Sequence, residues 1–336
     1  MRLRGGSGME DGMKDTLIGR RRLLALAGFG VAGAVLAACS KGPAASFKDG
    51  AGPSGSAGPS GSPTPTASPK PTGAPVHVRL FQGDGSTWGV GIPIIAYLNA
   101  TITDSRAFNE ATKVTVNGAE VQGAWFFQRS AVYQGYPLEA HYRLSQYWPA
   151  HATIHMDLPV EGLSAGPNLV FDDSLTLDMS TGPANISAID GKAERMVVTS
   201  DGKQVFNFPV SLGAAKTPTY NGIKVVMEKK NPERMIGNTP GDVYDVLVPW
   251  SCRVTNSGEF IHAASWNGGN IGQRSTSNGC TNLNVNDAQN FYNFAQIGDV
   301  ATYVNTGGGL MPSWDGYGDW NIPWGTWQQG GVVQPK

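Results

Sequence analysis

One stretch of this chain excludes itself from any core, and so dictates where folding has to happen. From Gly42 to Pro75 the sequence is dominated by Gly, Pro, Ala, Ser and Thr, as in Gly55-Ser56-Ala57-Gly58-Pro59-Ser60-Gly61-Ser62-Pro63-Thr64-Pro65-Thr66. Such a segment has too little apolar surface to offset the entropy of ordering it, and reads as a semi-extended tether. At roughly 3 Å per residue of PPII-like chain, about 30 residues reach on the order of 90 Å. Folding is therefore confined to residues 76–336, a length sufficient for two domains.

The segment ahead of the tether is an address. Arg20-Arg21-Arg22 leads into Leu23 to Ala38, a run of Leu, Ala, Gly and Val too short for a membrane span but suited to an export signal. The run ends in Leu36-Ala37-Ala38-Cys39, which resembles a bacterial lipobox, with Cys39 the residue that would be lipidated. An ordinary cleaved signal with an incidental Cys is the alternative. Arg20-Arg21-Arg22-Leu23-Leu24 is similar to a twin-arginine signal, and general secretory export stays open. The expectation is a signal peptide over 1–38, then a lipidated Cys39 and tether over 39–75. The protein would be exported and lipid-anchored to the outer face of the membrane. With 25 basic against 26 acidic residues and no dense basic stripe after the signal, nucleic acid is excluded as a partner.

The folded part is rich in Gly, Val, Thr and aromatics and poor in long amphipathic patterns, which predicts mainly β structure. In 76–187 the strand candidates are Ile94-Ile95-Ala96-Tyr97-Leu98, Lys113-Val114-Thr115-Val116, Glu139-Ala140-His141-Tyr142-Arg143 and Ala152-Thr153-Ile154-His155-Met156. Polar turns at this spacing suggest an immunoglobulin-like sandwich. His151 and His155, with His141 and Asp157 nearby, raise the question of a metal. An i, i+4 pair could share zinc on a helix, but on a strand the two lie roughly 13 Å apart. Pro149 and Pro159 bracket too short a segment for a helix, so these histidines read as sheet-surface residues, with no metal and no cofactor expected.

The next unit opens with a hairpin signal: Met196-Val197-Val198-Thr199 and Val205-Phe206-Asn207-Phe208-Pro209-Val210 flank Ser200-Asp201-Gly202-Lys203. Asn221-Gly222-Ile223-Lys224-Val225-Val226 adds a turn and a strand. Ala288, Phe291, Tyr292 and Ala295 predict one short helix, capped by Asn286 and ended by Gly298, before a strand over Val300 to Val304.

Just ahead of that helix lies Ser277-Asn278-Gly279-Cys280-Thr281-Asn282, with His262 upstream in Phe260-Ile261-His262-Ala263-Ala264-Ser265-Trp266. A lone Cys is most often a small buried hydrophobe and a lone His usually structural. Here the Asn-Gly step marks a turn, and an idle thiol is a liability in an exported chain. An imidazole near a thiol can generate a nucleophile, and amides converging at a tight turn can hold an oxyanion. The pair suggests Cys/His acyl transfer. Cys252, in a strand-like run, reads as a buried structural thiol and not as a disulfide partner of Cys280.

These residues resemble the L,D-transpeptidase catalytic domain, also called YkuD, over 188–306. Its signature is a His followed further on by Ser-His-Gly-Cys and a polar residue two places after the Cys. The likeness to actinobacterial members extends to Tyr147-Trp148-Pro149-Ala150 of the immunoglobulin-like unit and to Gly318-Asp319-Trp320-Asn321-Ile322-Pro323-Trp324 of a C-terminal extension over 307–336. One departure stands out: Asn278 occupies the place of the family's second His. It keeps the backbone N–H but cannot titrate, so His262 is the only imidazole in the motif.

The resemblance implies a chemistry. Cys280 attacks the amide between the third residue of a peptidoglycan tetrapeptide stem and its terminal D-Ala. A second stem's amine then takes the thioester, giving a 3→3 cross-link. His262 would keep the thiolate and handle the amine proton, and the amides of Asn278, Gly279 and Cys280 would form the oxyanion hole. Tyr244 would be a lid tyrosine. Asn282, Trp266, Ser277 and Met235 would line the substrate pocket, and the Ala263 carbonyl could orient the imidazole. Carbapenems would acylate the same Cys. Two alternatives use the same residues: an L,D-carboxypeptidase with water as acceptor, and an inactive peptidoglycan-binding lipoprotein.

Overall fold

The computed structural model of the chain describes residues 72–130, 135–239 and 242–334; the signal, Cys39 and the tether lie outside them. Alternation of side chains builds the first unit. In Thr153–Leu158, Ile154, Met156 and Leu158 are buried while Thr153, His155 and Asp157 face outward, as the two-residue strand period requires. That strand sits inside a five-stranded sheet ordered Ser86–Trp88, Leu175–Thr181, Thr153–Leu158, Lys113–Val116, Ala119–Glu120. A four-stranded sheet runs Val78–Leu80, Ile94–Leu98, Leu138–Arg143, Ala124–Arg129. One apolar cluster draws on both sheets, with Ile95, Phe127, Ile154 and Met156 among its members, so the unit is the immunoglobulin-like sandwich expected. A six-residue helix, Arg106–Ala111, is an addition; only Phe108 of it is buried, wedged against Trp125, Phe127 and Phe171.

Leu138–Arg143 is buried at every position, which the alternation rule alone does not allow for a sheet with one wet face. The reason is the C-terminal extension. His141 Nδ1 lies 2.8 Å from Asp319 Oδ1, and Arg143 donates to the Asp319 and Ile322 carbonyls at 3.3 and 2.8 Å. The Arg143 guanidinium also sits over the rings of Trp320, Trp324 and Trp327 at 4.7, 5.2 and 4.3 Å. His141 is therefore a covered core residue, correcting its sheet-surface assignment. His151 lies in a turn, with Nε2 2.9 Å from Asp201, and His155 is paired with Asp178 at 2.7 Å.

The second unit packs two further sheets. A five-stranded sheet runs Lys203–Pro209, Arg195–Ser200, Asn185–Asp190, Val300–Val304, Gly222–Val225. The predicted hairpin is its first two strands, turning at Asp201 and Gly202, which both take positive φ. The other sheet runs Glu228–Lys230, Ser251–Arg253, Phe260–Ala263, Thr281–Leu283. Ile189, Met196, Cys252, Ile261, Leu283 and Phe291 share one core beneath both. The helix Val285–Phe294 starts two residues earlier than expected, with Asn284 and not Asn286 at its N-cap and Asp287 in its first turn. Its chain ends at an extended Ala295 rather than at Gly298.

The two units meet through backbone. Gly89 and Gly91 N–H donate to the Ile297 and Gly298 carbonyls at 2.8 Å each. Val225 of the second unit joins the core of the first, as do Tyr317 and Val333 of the C-terminal extension.

Candidate active site

His262 is the third residue of Phe260–Ala263, a strand buried at every position. It pairs in parallel with Thr281–Leu283, placing His262 in register with Asn282 and Ala263 with Leu283. Cys280 is the residue just before that partner strand. The parallel pairing thus carries the thiol to the edge of the sheet that holds the imidazole, a proximity built from residues far apart in sequence.

The turn ahead of Cys280 is pinned from both sides. Gly279 has φ of 111°, a conformation that L side chains rarely adopt. Ser277 Oγ donates to the Cys280 carbonyl at 2.6 Å and accepts the Gly279 N–H at 3.2 Å. Thr219 Oγ1 donates to the Gly279 carbonyl at 2.7 Å, and Ala214 N–H to that of Ser277 at 2.8 Å. The Gly279 N–H is thereby engaged inside the turn. The resemblance implies an oxyanion site of three amides; of these, the Gly279 N–H is bonded to Ser277 here. Ser277 is a brace of the turn and not a pocket wall. The Asn278 side chain is exposed, with Thr217 Oγ1 3.5 Å from its Oδ1.

A two-stranded hairpin, Glu233–Thr239 with Asp242–Val248, folds over this turn. Met235, Val248 and Phe260 form a small apolar cluster, with Tyr244 and Cys280 packed against it. Met235, Tyr244 and Cys280 thus share one cluster. Gly237 stands opposite Tyr244 in register, and any Cβ there would fall 2.2 Å from the tyrosine ring. Trp266 is 63% exposed and its ring stacks on His262 at 6.0 Å. Asn282 is buried, its N–H donating to the Ser211 carbonyl at 2.9 Å and its Oδ1 without a partner among the described residues.

Electrostatics favour the neutral pair at rest. His262 is 3% exposed, and burial pushes its pKa down to about 4 against a smaller upward pull from the Ala263 carbonyl. Nδ1 lies 2.8 Å from that carbonyl, so the ring is oriented with Nδ1 as donor and Nε2 as the basic nitrogen. Burial likewise pushes the Cys280 thiol up to about 12, opposed by the Phe260 amide and reinforced by Glu259. Cys252 is fully buried, is also a free thiol, and is pushed up to about 12 by desolvation.

Sequence reasoning passed over a buried ion pair under the turn. Lys224 is 0% exposed, pairs with Glu259, and lies 3.8 Å from the Tyr303 ring centre. The signal was present: one charge inside the apolar strand Gly222–Val225 and another, Glu259, immediately before the apolar strand Phe260–Ala263.

Fold and site together define a β-rich domain with a Cys/His pair under a hairpin, joined to an immunoglobulin-like sandwich. Residues 185–304 match the family described as the L,D-transpeptidase catalytic domain (YkuD), and residues 54–164 match the bacterial Ig domain. The chain carries a catalytic domain of the L,D-transpeptidase family. It is 31% identical over 265 residues to L,D-transpeptidase 2 of Mycobacterium tuberculosis (strain CDC 1551 / Oshkosh), covering 76% of this chain and 63% of that one. To L,D-transpeptidase 5 of M. tuberculosis (strain ATCC 25618 / H37Rv) it is 32% identical over 257 residues, covering 75% and 55%. The chain thus spans less than two thirds of these relatives' length. It shares its fold with L,D-transpeptidase LdtMt1 in complex with imipenem, at TM-score 0.56 and 23% identity over 70% of this chain and all of that one. It shares it also with an L,D-transpeptidase from Mycobacterium smegmatis, at TM-score 0.56 and 24% identity over 69% and 100%.

Proposed function

We propose that the protein is a peptidoglycan L,D-transpeptidase that forms 3→3 cross-links through a thioester on Cys280, lipid-anchored through Cys39 on the outer face of the membrane. The observation that carries the reading is the parallel pairing of the His262 strand with the strand that follows Cys280, with Cys280 packed on the Met235, Val248 and Phe260 cluster, within a domain matching this family.

The donor stem enters with the carbonyl of its third residue over the sulfur. As Sγ attacks, its proton passes to His262 Nε2, and the amides of Asn278 and Cys280 take the developing oxyanion. The C–N bond breaks, the proton goes to the departing amine of D-Ala, and the thioester remains. The second stem's amine then displaces the sulfur. Because both resting groups are neutral, the thiolate arises only with substrate in place, when the solvent and carbonyl geometry favour it. LdtMt1 is solved with imipenem, and on the same reading Cys280 would take a carbapenem.

Incubation of the purified protein with a disaccharide-tetrapeptide tests this by product mass. A dimer lacking one D-Ala is expected. D-Ala release with no dimer would make it an L,D-carboxypeptidase, and no product would leave an inactive binding protein.

A further inference from the structure

The sulfur of Cys280 sits between two backbone groups of one short segment. Sγ lies 3.6 Å from the Gly258 carbonyl, which accepts the thiol hydrogen, and the Phe260 N–H donates to the sulfur. Between these two residues stands Glu259, 7% exposed. The segment is fixed on its own side of the sheet: the Glu259 N–H donates to Thr255 Oγ1 at 2.8 Å, and the Glu259 carbonyl accepts the Val254 N–H at 2.9 Å. Downstream of the sulfur, the pairing of Ile261 with Thr281 joins this segment to the nucleophile's strand. Upstream of it, the joining group is the Glu259 side chain.

Glu259 Oε1 accepts the Tyr220 N–H at 2.8 Å, and the neighbouring Thr219 donates through Oγ1 to the Gly279 carbonyl at 2.7 Å. Gly279 is covalently joined to Cys280, so these contacts close a ring that starts and ends at the sulfur. Thr219 is 1% exposed and its Oγ1 also accepts the Gly213 N–H at 2.8 Å, which leaves that link little freedom. A Cβ on Gly279 would meet Glu259 Oε1 at 3.5 Å, so the carboxylate packs directly under the turn. A carboxylate buried there needs a counter-ion. Lys224 supplies it at Oε2, which leaves Oε1 for Tyr220; Asp315 is the other charged group that faces Glu259.

Resting on the transpeptidase reading for the role of Cys280, we propose that Glu259 is a positioning residue: by closing this ring it fixes the sulfur between the Gly258 carbonyl and the Phe260 N–H, with Lys224 as the counter-ion that makes its burial tolerable. A donor aimed at sulfur favours the thiolate over the thiol, and the Phe260 N–H acts in that sense on Cys280. That help depends on alignment, because a hydrogen bond weakens steeply as its geometry opens. With the ring open, the turn and the segment 258–260 are held together on the downstream side alone. Glu259 acts through the backbone of its neighbours, so its effect belongs to the rate of attack and not to binding.

Two variants of the full chain isolate the link. Lys224→Met with Glu259→Gln removes both charges and keeps an acceptor for Tyr220. Lys224→Met with Glu259→Met removes both charges and the acceptor at similar volume, leaving no buried charge unpaired. Arg253, the other charged group that influences the thiol, is the same in both. Well below the unfolding midpoint, iodoacetamide should modify Cys280 about tenfold more slowly in the second variant than in the first, a displacement of about one pH unit along the whole profile. Its maximal rate of carbapenem acylation should fall by a similar factor, with the carbapenem concentration at half-maximal rate within about twofold. Equal or faster alkylation in the second variant would overturn the assignment, and so would a change confined to the half-maximal concentration. A link serving stability alone would lower the urea midpoint and leave the folded protein's rates equal. Thr219→Val cuts the ring at its other link without touching a charge, and decides the matter if either double variant fails to fold. It should slow alkylation about tenfold in the unmodified protein, and by less than about twofold when added to the second variant, because one break already opens the ring. No slowing, or fully additive slowing, would overturn the assignment. If the unmodified protein neither releases D-Ala nor takes a carbapenem, the transpeptidase reading fails, while the alkylation rates still decide whether Glu259 positions the sulfur.

Discussion

Desolvation pushes the part-buried Cys280 thiol up and the buried His262 imidazole down, and this sets how the thiol should respond to pH. A thiol pushed up to about 12 is protonated near neutrality. Iodoacetamide should therefore modify Cys280 slowly at pH 7 and roughly tenfold faster per pH unit, with no plateau below about pH 9. A plateau near pH 6 would mean a thiolate–imidazolium pair and contradict the neutral site. Cys252, fully buried, should stay unmodified until the chain is unfolded. Asn278 supplies the second test at this scale. Its side chain is exposed at the turn, and on the transpeptidase reading its backbone N–H is the part that would act. Asn278→His should change carbapenem acylation by less than about tenfold, or 1.4 kcal/mol. A gain of several hundredfold would assign the missing imidazole a direct part in the chemistry.

The hairpin over the site is the element whose fit to one side chain can be tested. Tyr244 packs beside the sulfur only because Gly237, opposite it, has no Cβ. Gly237→Ala should swing the ring outward and slow carbapenem acylation by about tenfold. The thermal midpoint should move by less than about 3 °C, because the hairpin lies outside the main core. A large fall in midpoint with unchanged acylation would make the hairpin a stabilising element and not a lid. The other elements show why some of the fold was legible and some was not. Asp201-Gly202 marked its hairpin because few residues accept positive φ. The Arg106–Ala111 helix escaped notice because one buried residue, Phe108, cannot display a period. The 285–294 helix was found by its period, but its start was misplaced by two residues because Asn284 and Asn286 are both good caps.

Across the whole molecule the sandwich and the catalytic unit are joined where glycines let backbones touch. A Cβ on Gly89 would fall 2.2 Å from Asp299 N, an atom of the rigid turn that ends at the Val300–Val304 strand. Gly89→Ala should thus cost about 1–3 kcal/mol, read as a lower urea midpoint for both units together. Loss of stability in the sandwich alone would show that the junction does not couple them.

Sequence by itself determined what local physics encodes: strands that alternate, a hairpin turn, and the Ser277-Asn278-Gly279-Cys280 turn with its upstream His. Through resemblance it also singled out Met235 and Tyr244, which share a cluster with Cys280, and Trp266, whose ring stacks on His262. Tertiary structure alone decided three things. It covered His141 and Arg143 with the C-terminal extension, made the Gly279 N–H unavailable by binding it to Ser277, and paired Lys224 with Glu259 beneath the nucleophile. The first and third depend on contacts between segments with no shared period, and the second on the conformation of one turn, so no local pattern records them. A buried charge is tolerable only when its partner arrives from elsewhere in the chain, and only the folded protein shows which partner that is.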